Sequence, residues 1–437
     1  MTARPGPEDR LVQAGADVLQ IAETGVLIVL DDPPRGLPWE HPAWALCRGL
    51  CALGFGQVQI SGARSDIGDL SLWLPELELE PMPSTYLGEL ERDGAEAFGV
   101  VLHLGRSTAT RRRCAELAAE PSSFASLHWS PTGVAMTSRL ASDDVGGVGA
   151  FAAEPIAPVA RIAAGLALQE ALIGAGRLAD AAPAAASVSY DVAGEERAPA
   201  QDASAWKELF IEDAIIDVIG AGGVGTHLLE CLAPLLADGC ELRIFDFDQV
   251  GPENLAIQPA FSADDIGRPK AVAMAEKLAA FADPAVDLRA MPIRYEDRPA
   301  RLARPSLRIA CPDNFAVRRY LNDCSLADGV PLAEAGSSPL AAQHRVYLPG
   351  HTSCLAHRIP RLAELADEES DRASCSLAQA LTLPGTNMIC GGILAAEALR
   401  ALEPERFGPP SRGTIAYDAR FPERFGVIEM RPPCAHD

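Results

Sequence analysis

A run of glycines constrains this chain more than any other feature. Gly220-Ala221-Gly222-Gly223-Val224-Gly225 follows directly on the apolar stretch Ile215–Ile219 and opens an amphipathic segment over 226–236. A buried strand that turns through glycines into a helix brings backbone close to whatever sits at the turn, and it aims unpaired N–H groups there. Phosphates are the natural occupants. The next apolar strand, 242–245, runs into Asp246, whose carboxylate can accept from ribose hydroxyls. This strand, turn, helix and strand form the opening unit of a mostly parallel α/β sheet. The glycine pattern alone serves NAD, FAD or ATP equally.

The same alternation of apolar strands and amphipathic helices fills the rest of the chain, with one interruption. Residues 178–204 are rich in Ala and Pro and have little periodicity, which is a linker composition with room for a helical piece or a single strand. They divide the chain into 1–177 and 205–437, each of ordinary domain size. The two parts carry similar segments in the same order. Leu27-Ile28-Val29-Leu30 matches Asp217-Val218-Ile219-Gly220, and Leu53-Gly54-Phe55-Gly56-Gln57 matches Asp238-Gly239-Cys240-Glu241. Arg111-Arg112 before Cys114 matches Arg318-Arg319 before Cys324, and 164–172 matches 391–399. This order predicts a duplicated fold.

Beyond the glycine turn the second part departs from a dehydrogenase. Asp246-Phe247-Asp248 leads to Asn254-Leu255 and Gln258, then to Asp265-Ile266-Gly267 and Arg268, with Lys270 following; Asp313-Asn314 and Arg318 come later, at the end of a strand. Over about 212–402 this set resembles the ubiquitin-activating and sulfur-carrier-adenylating (ThiF/MoeB/HesA) family. The resemblance implies two Rossmann-like adenylation-fold copies, with mostly parallel sheets flanked by helices, that form an intramolecular pseudo-dimer. It implies ATP and Mg²⁺, and a small ubiquitin-like or sulfur-carrier protein whose C-terminal glycine carboxylate attacks the α-phosphate. Gly220, Gly222, Gly223, Gly225, Asp246, Asp248, Asn254, Gln258 and Arg268 then belong to the nucleotide site. Lys270 would neutralise developing phosphate charge and Asp313 would hold the metal. Relatives carry arginine just before the glutamine, where this chain has Ile257, and Arg268 is the cation nearest at hand to replace it.

Against the second copy the first has lost its nucleotide features. Asp31-Asp32-Pro33-Pro34 stands in place of the glycine turn, Ser61 in place of Asp246 and Arg106 in place of Asp313. The first copy thus reads as inactive. The family's arginine lent by the facing copy corresponds to Arg10. Its acyl-accepting crossover-loop cysteine corresponds to Cys375, which lies between polar flanks that favour an accessible thiol; Cys390 sits in an apolar run and reads as packing. Cys354 and His357, with Cys434 and His436 near the end of the sequence, occupy the places of the family's zinc ligands and suit a tetrahedral structural Zn²⁺.

Composition closes off other classes. With 37 Lys+Arg against 60 Asp+Glu the net charge is -23, the wrong sign for a nucleic-acid partner. No apolar run reaches bilayer length and the first residues hold no signal sequence, so no membrane is expected. Eleven cysteines, an odd number thinly spread, argue for reduced thiols and a cytoplasmic setting. The expected function is ATP-dependent activation of a carrier protein, with thioester formation and a conjugating enzyme downstream as in a bacterial conjugation system. A peptide-adenylating enzyme without a thioester and a non-catalytic scaffold are the alternatives.

Overall fold

A computed structural model describes residues 18–30, 41–55, 57–61, 80–82, 98–105, 107–118, 124–130, 132–137, 155–176, 178, 181, 187–192, 206, 210–359, 361–372, 382–428 and 432–434. The first half contains α1 (Val18–Glu23), β1 (Gly25–Leu30), α2 (Pro42–Ala52), β2 (Gln57–Ser61), β3 (Glu80–Met82) and β4 (Val100–Leu104). It continues with α3 (Thr108–Leu117), β5 (Phe124–Trp129), β6 (Gly133–Thr137), α4 (Ala157–Gly176) and β7 (Ser187–Asp191). In the second half come β8 (Ile215–Ile219), α5 (Gly223–Leu232), β9 (Glu241–Phe245), α6 (Lys270–Leu278), β10 (Asp287–Met291), β11 (Leu307–Ala310) and α7 (Phe315–Asp328). They are followed by β12 (Leu332–Ser337), β13 (Ala341–Tyr347), α8 (Leu355–Arg358), α9 (Leu362–Arg372), α10 (Pro384–Leu402), α11 (Pro404–Phe407), β14 (Thr414–Asp418) and β15 (Phe425–Ile428).

The two sheets repeat one design. Their orders are β3-β2-β1-β4-β5-β6-β7 and β10-β9-β8-β11-β12-β13-β14-β15, which coincide over seven strands when β1 is laid on β8, with β15 added at the edge of the second. The senses coincide too. From β3 to β5, and from β10 to β12, every neighbour is parallel. The strands beyond are antiparallel in both sheets. Strand β7 falls inside the stretch whose composition reads as linker, and it completes the first sheet. Register also shifts one expected match: Val29 pairs with Ser61 and Ile219 with Phe245, so Ser61 corresponds to Phe245, one residue short of Asp246.

Helices cover both faces of the parallel strands, which is why β1, β4, β8 and β11 are apolar runs without alternation. Helices α4 and α10 are mostly apolar and buried along nearly their whole length, with their few polar side chains buried too, so neither has a broad face for solvent. They pack on each other and carry one continuous apolar core across both halves. Small residues set how closely they approach. A Cβ on Gly165 would lie 2.6 Å from the carbonyl oxygen of Gly385, and one on Gly392 would lie 2.7 Å from that of Pro158. Among the described residues no helix is long and apolar enough to cross a membrane.

Charges also cross between the halves, out of water. Glu230 of α5 is buried and accepts from Arg48 of α2 at 2.8 Å and from Arg161 of α4 at 2.6 Å. Burial pushes the Glu230 carboxyl up, but the two guanidiniums outweigh it and hold the group well below the ordinary carboxylate range. Arg424 of the second half likewise reaches buried Glu170 of α4 at 2.8 Å. Removing one partner of such a cluster strands the others in a low dielectric. Glu230→Gln is expected to lose about 3–5 kcal/mol in urea unfolding, whereas Glu276→Gln at an exposed ion pair should lose less than about 1 kcal/mol.

Three buried histidines give a second handle. Burial lowers His41 to about 3, and His227 and His344 to about 4, from an ordinary 6.5. Between these values and 6.5 the unfolded chain takes up protons that the folded chain refuses, so stability is full above pH 6.5 and falls below it. At about 1.4 kcal/mol per proton per pH unit, the three together steepen the loss by up to about 4 kcal/mol per unit. Urea midpoints at pH 7, 6 and 5 measure it.

Candidate functional site: a glycine turn at the carboxyl ends of the central strands

Strand β8 ends at the middle of its sheet, where β9 and β11 flank it on either side. The chain leaves β8 through Gly220 in the left-handed region (φ 102°), with its backbone against Cys311 after β11. A side chain at Gly225 would collide with the Gly220 carbonyl oxygen, so the turn closes only without one. Gly222 is the N-cap of α5 and makes no side-chain cap, and Gly223 is the first residue of the helix. The first N–H groups of α5 are therefore left for a ligand.

Asp246 braces this turn. Its Oδ2 accepts from the Ala221 N–H at 2.7 Å and its Oδ1 accepts from the Asp248 N–H at 2.9 Å. Burial pushes the Asp246 carboxyl up, against the pull of Lys270 and of these N–H donors. Each oxygen keeps a lone pair for a ribose hydroxyl. Lys270, whose side chain is only 7% exposed, opens α6 and puts its Nζ 3.3 Å from Asp248 Oδ2. Its own N–H donates to the Asp248 carbonyl at 2.9 Å. Asp246, Asp248 and Lys270 thus form one cluster beside the glycine turn.

The loop between β9 and α6 closes on itself. Asn254 Oδ1 accepts from the Gly251 N–H at 2.8 Å. Gln258 is buried and its Oε1 has no hydrogen-bond partner among the described residues, an acceptor held ready for a donor. Ile257 is buried, as its side chain requires. Arg268 donates to Asp265 at 3.2 Å and to Glu276 at 2.5 Å, so it has to leave these partners to reach a phosphate. Arg48 of the first half also donates to the Pro259 carbonyl, one residue past Gln258.

After β11, Asp313 is exposed. Asn314 caps α7 by accepting from the Val317 N–H at 2.8 Å, which fixes the chain direction at Asp313. Arg318 reinforces this from within the helix: it donates to the Pro312 carbonyl at 3.0 Å and ion-pairs with buried Glu334 at 2.8 Å. Sequence reasoning missed Asn387. It is fully buried in the first turn of α10, packs against Gly223 and accepts from Ser337 Oγ at 2.7 Å. Pro384 at the helix start was the available signal.

Three of the four expected zinc ligands come together. Cys354 Sγ lies 3.1 Å from His357 Nδ1, the Cys354 N–H points to Cys434 Sγ at 3.2 Å, and all three donor atoms lie within 4.8 Å of one another. Two thiols and an imidazole are a donor set that suits zinc. His436, Cys375 and Arg10 lie outside the described residues, as do Asp31 to Pro34 and Arg106. Cys390 is fully buried, which drives its thiol well above the ordinary range.

Residues 198–433, which contain the glycine turn, the Asp246–Asp248–Lys270 cluster, Asp313 and Asn387, match the ThiF family. The chain belongs to the ThiF family. By that membership it is an ATP-dependent adenylyltransferase. The sulfur carrier protein adenylyltransferase of Thermus thermophilus is 29% identical over 220 residues, 48% of this chain and 76% of that protein. The molybdopterin-synthase adenylyltransferase of Salmonella typhimurium is 28% identical over 212 residues, 48% of this chain and 80% of that protein. Among solved structures, E. coli MccB with AMPCPP and MccA is 19% identical with a TM-score of 0.44, over 52% of this chain and 67% of that one.

The brace at Asp246 can be tested alone. Asp246→Asn keeps the size but turns an NH₂ towards one of two N–H donors. It is expected to cost about 1–3 kcal/mol of stability and at least about tenfold in affinity for a non-hydrolysable ATP analogue, read by denaturation and by equilibrium binding.

Proposed function

We propose that the second half adenylates the C-terminal carboxylate of a small ubiquitin-like or sulfur-carrier protein. The observation that carries this reading is the single cluster formed by the braced glycine turn, Asp248 and Lys270, with Asp313 at the end of the neighbouring strand. The similarity to an enzyme named for a sulfur carrier protein supports the choice of substrate.

In this reading the turn and the α5 N–H groups take phosphate oxygens, and Asp246 and Gln258 take hydrogen bonds from the nucleoside side. A carboxylate oxygen of the carrier attacks the α-phosphorus. The bond from that phosphorus to the bridging oxygen breaks, and pyrophosphate leaves with the electron pair. Lys270 carries a positive charge next to the group on which negative charge builds. Asp313 is the residue to hold Mg²⁺, which when bound draws charge from the triphosphate. The Cys375 thiolate then attacks the acyl-adenylate carbonyl, releasing AMP and leaving a thioester for a conjugating partner.

The first half is, on this proposal, an inactive copy that completes an intramolecular pseudo-dimer, with 178–204 joining it to the active one and Arg10 reaching the nucleotide. Its matching strand order and the loss of the glycine turn at Asp31 to Pro34 support that role. Cys354, His357 and Cys434, with His436, would hold a structural zinc. The setting is cytoplasmic.

ATP–pyrophosphate exchange driven by a candidate carrier tests the reading. Asp313→Ala and Lys270→Ala are expected to lower exchange by about 100-fold or more while thermal melts stay unchanged. Undiminished exchange in both variants would refute adenylation at this cluster. Cys375→Ala should keep exchange and lose a thiol-sensitive adduct. An adduct that survives in this variant would refute the thioester step.

A further inference from the structure

The face of the second sheet that looks towards α7 carries charges where apolar residues belong. Asp217 stands in register between Arg243 on β9 and Arg308 on β11, at the centre of a parallel sheet, and all three are 1% exposed. Such strands are ordinarily Val, Ile and Leu, and a buried ionic row stabilises less than well-packed apolar residues in the same places. The row is well ordered. Tyr295 donates from its hydroxyl to Asp217 at 2.7 Å and accepts from Arg308 Nε at 2.9 Å. Arg243 is held by Glu241 at 2.8 Å and by the Ala303 carbonyl at 2.7 Å, and Arg308 by Asp328 at 2.9 Å.

This row floors an open cavity of about 390 Å³ whose other wall is the segment leading into β11. Four arginines line it, Arg243, Arg298, Arg304 and Arg308, against two carboxylates, Asp217 and Asp328. That excess is cationic in a chain whose net charge is -23. Arg243 and Arg308 have carboxylate partners. Arg298 and Arg304 make no ion pair among the described residues. Arg298 lies over the Tyr295 ring at 4.3 Å, and one of its nitrogens donates to Tyr320 Oη at 3.0 Å, which holds the guanidinium in place. Asp217, the charge opposing an anion, is occupied by Tyr295 and Arg243, and burial pushes its carboxyl up.

We propose that this cavity is a second anion site, built for a compact phosphate-bearing ligand that Arg298 and Arg304 contact directly. Guanidinium forks match phosphate oxygens in geometry, and a fixed guanidinium loses little freedom on binding. The cavity lies towards the amino end of β11, whereas the glycine turn lies at the carboxyl ends of β8 and β9, so the two sites use opposite ends of the same strands. This inference does not rest on the proposed carrier substrate.

The test is calorimetric titration of the full chain with inorganic pyrophosphate, free of divalent metal and with the glycine-turn site saturated by a non-hydrolysable ATP analogue. One saturable site is expected to remain. Arg304→Ala, at an exposed side chain, should weaken it about tenfold or more, Arg304→Lys should partly restore it, and ATP-analogue binding should not change. Arg298→Gln is a second variant with the same expectation. Phosphate and ribose 5-phosphate, titrated in parallel, tell an inorganic from an esterified ligand. No saturable binding to the nucleotide-filled protein would overturn the proposal. So would binding indifferent to both substitutions, the signature of an adventitious ion only.

Discussion

One carboxylate in the core, Glu230, ties the two halves of this chain to each other and to the functional turn. It lies on the helix that begins at Gly223, and both of its oxygens are taken by arginines of the other half. A buried carboxylate with two guanidiniums has few equivalent arrangements, so it fixes the rotation of α5 against α2 and α4 as well as adding energy. Arg48 extends the constraint by holding the Pro259 carbonyl, in the loop that carries Asn254 and Gln258. The half without a glycine turn thus reaches the half that has one at two points, the helix behind the turn and the loop beside it.

The apolar contact that accompanies this clamp explains the resemblance of residues 164–172 to 391–399. Both segments lie in helices buried on all sides, and those helices are each other's main neighbour across the two halves. Gly165 and Gly392 each face backbone of the opposing helix, so the close approach is built from both sides. An apolar helix face of this size is buried against something equally apolar, and here that surface is the matching helix of the other half.

Backbone requirements were legible in the sequence, and side-chain partnerships across distance were not. Gly220 and Gly225 announce a turn because few other residues fit there, and the apolar runs at β1 and β8 announce central strands because both faces are covered. Asp246 could be placed at the end of β9, but nothing local says that both of its oxygens serve the backbone of the turn and its own loop. Asn387 and Glu230 take their roles from residues far along the chain, which periodicity does not reach. The Ala- and Pro-rich residues around strand β7 leave linker, helix and strand open, since pairing with β6 decides its conformation and composition does not. Arg268, the cation expected to stand in for the one missing at Ile257, is drawn instead to Asp265 and Glu276.

The charged row at Asp217 makes the same point from the opposite direction. Read as sequence, a single Asp or Arg inside an apolar strand looks like an interruption of the pattern. Only register shows that three interruptions on three strands meet side by side, and only the fold shows Tyr295 bridging two of them. Each charge then has a partner in the low dielectric of the interior, which is the condition for burying it at all. The central strands therefore carry polar work at two levels: carbonyls, N–H groups and Asp246 where β8 and β9 end, and side chains of both signs within the sheet. Between the two levels on β8 lie only Val218 and Ile219, so the charged row and the glycine turn share one short strand.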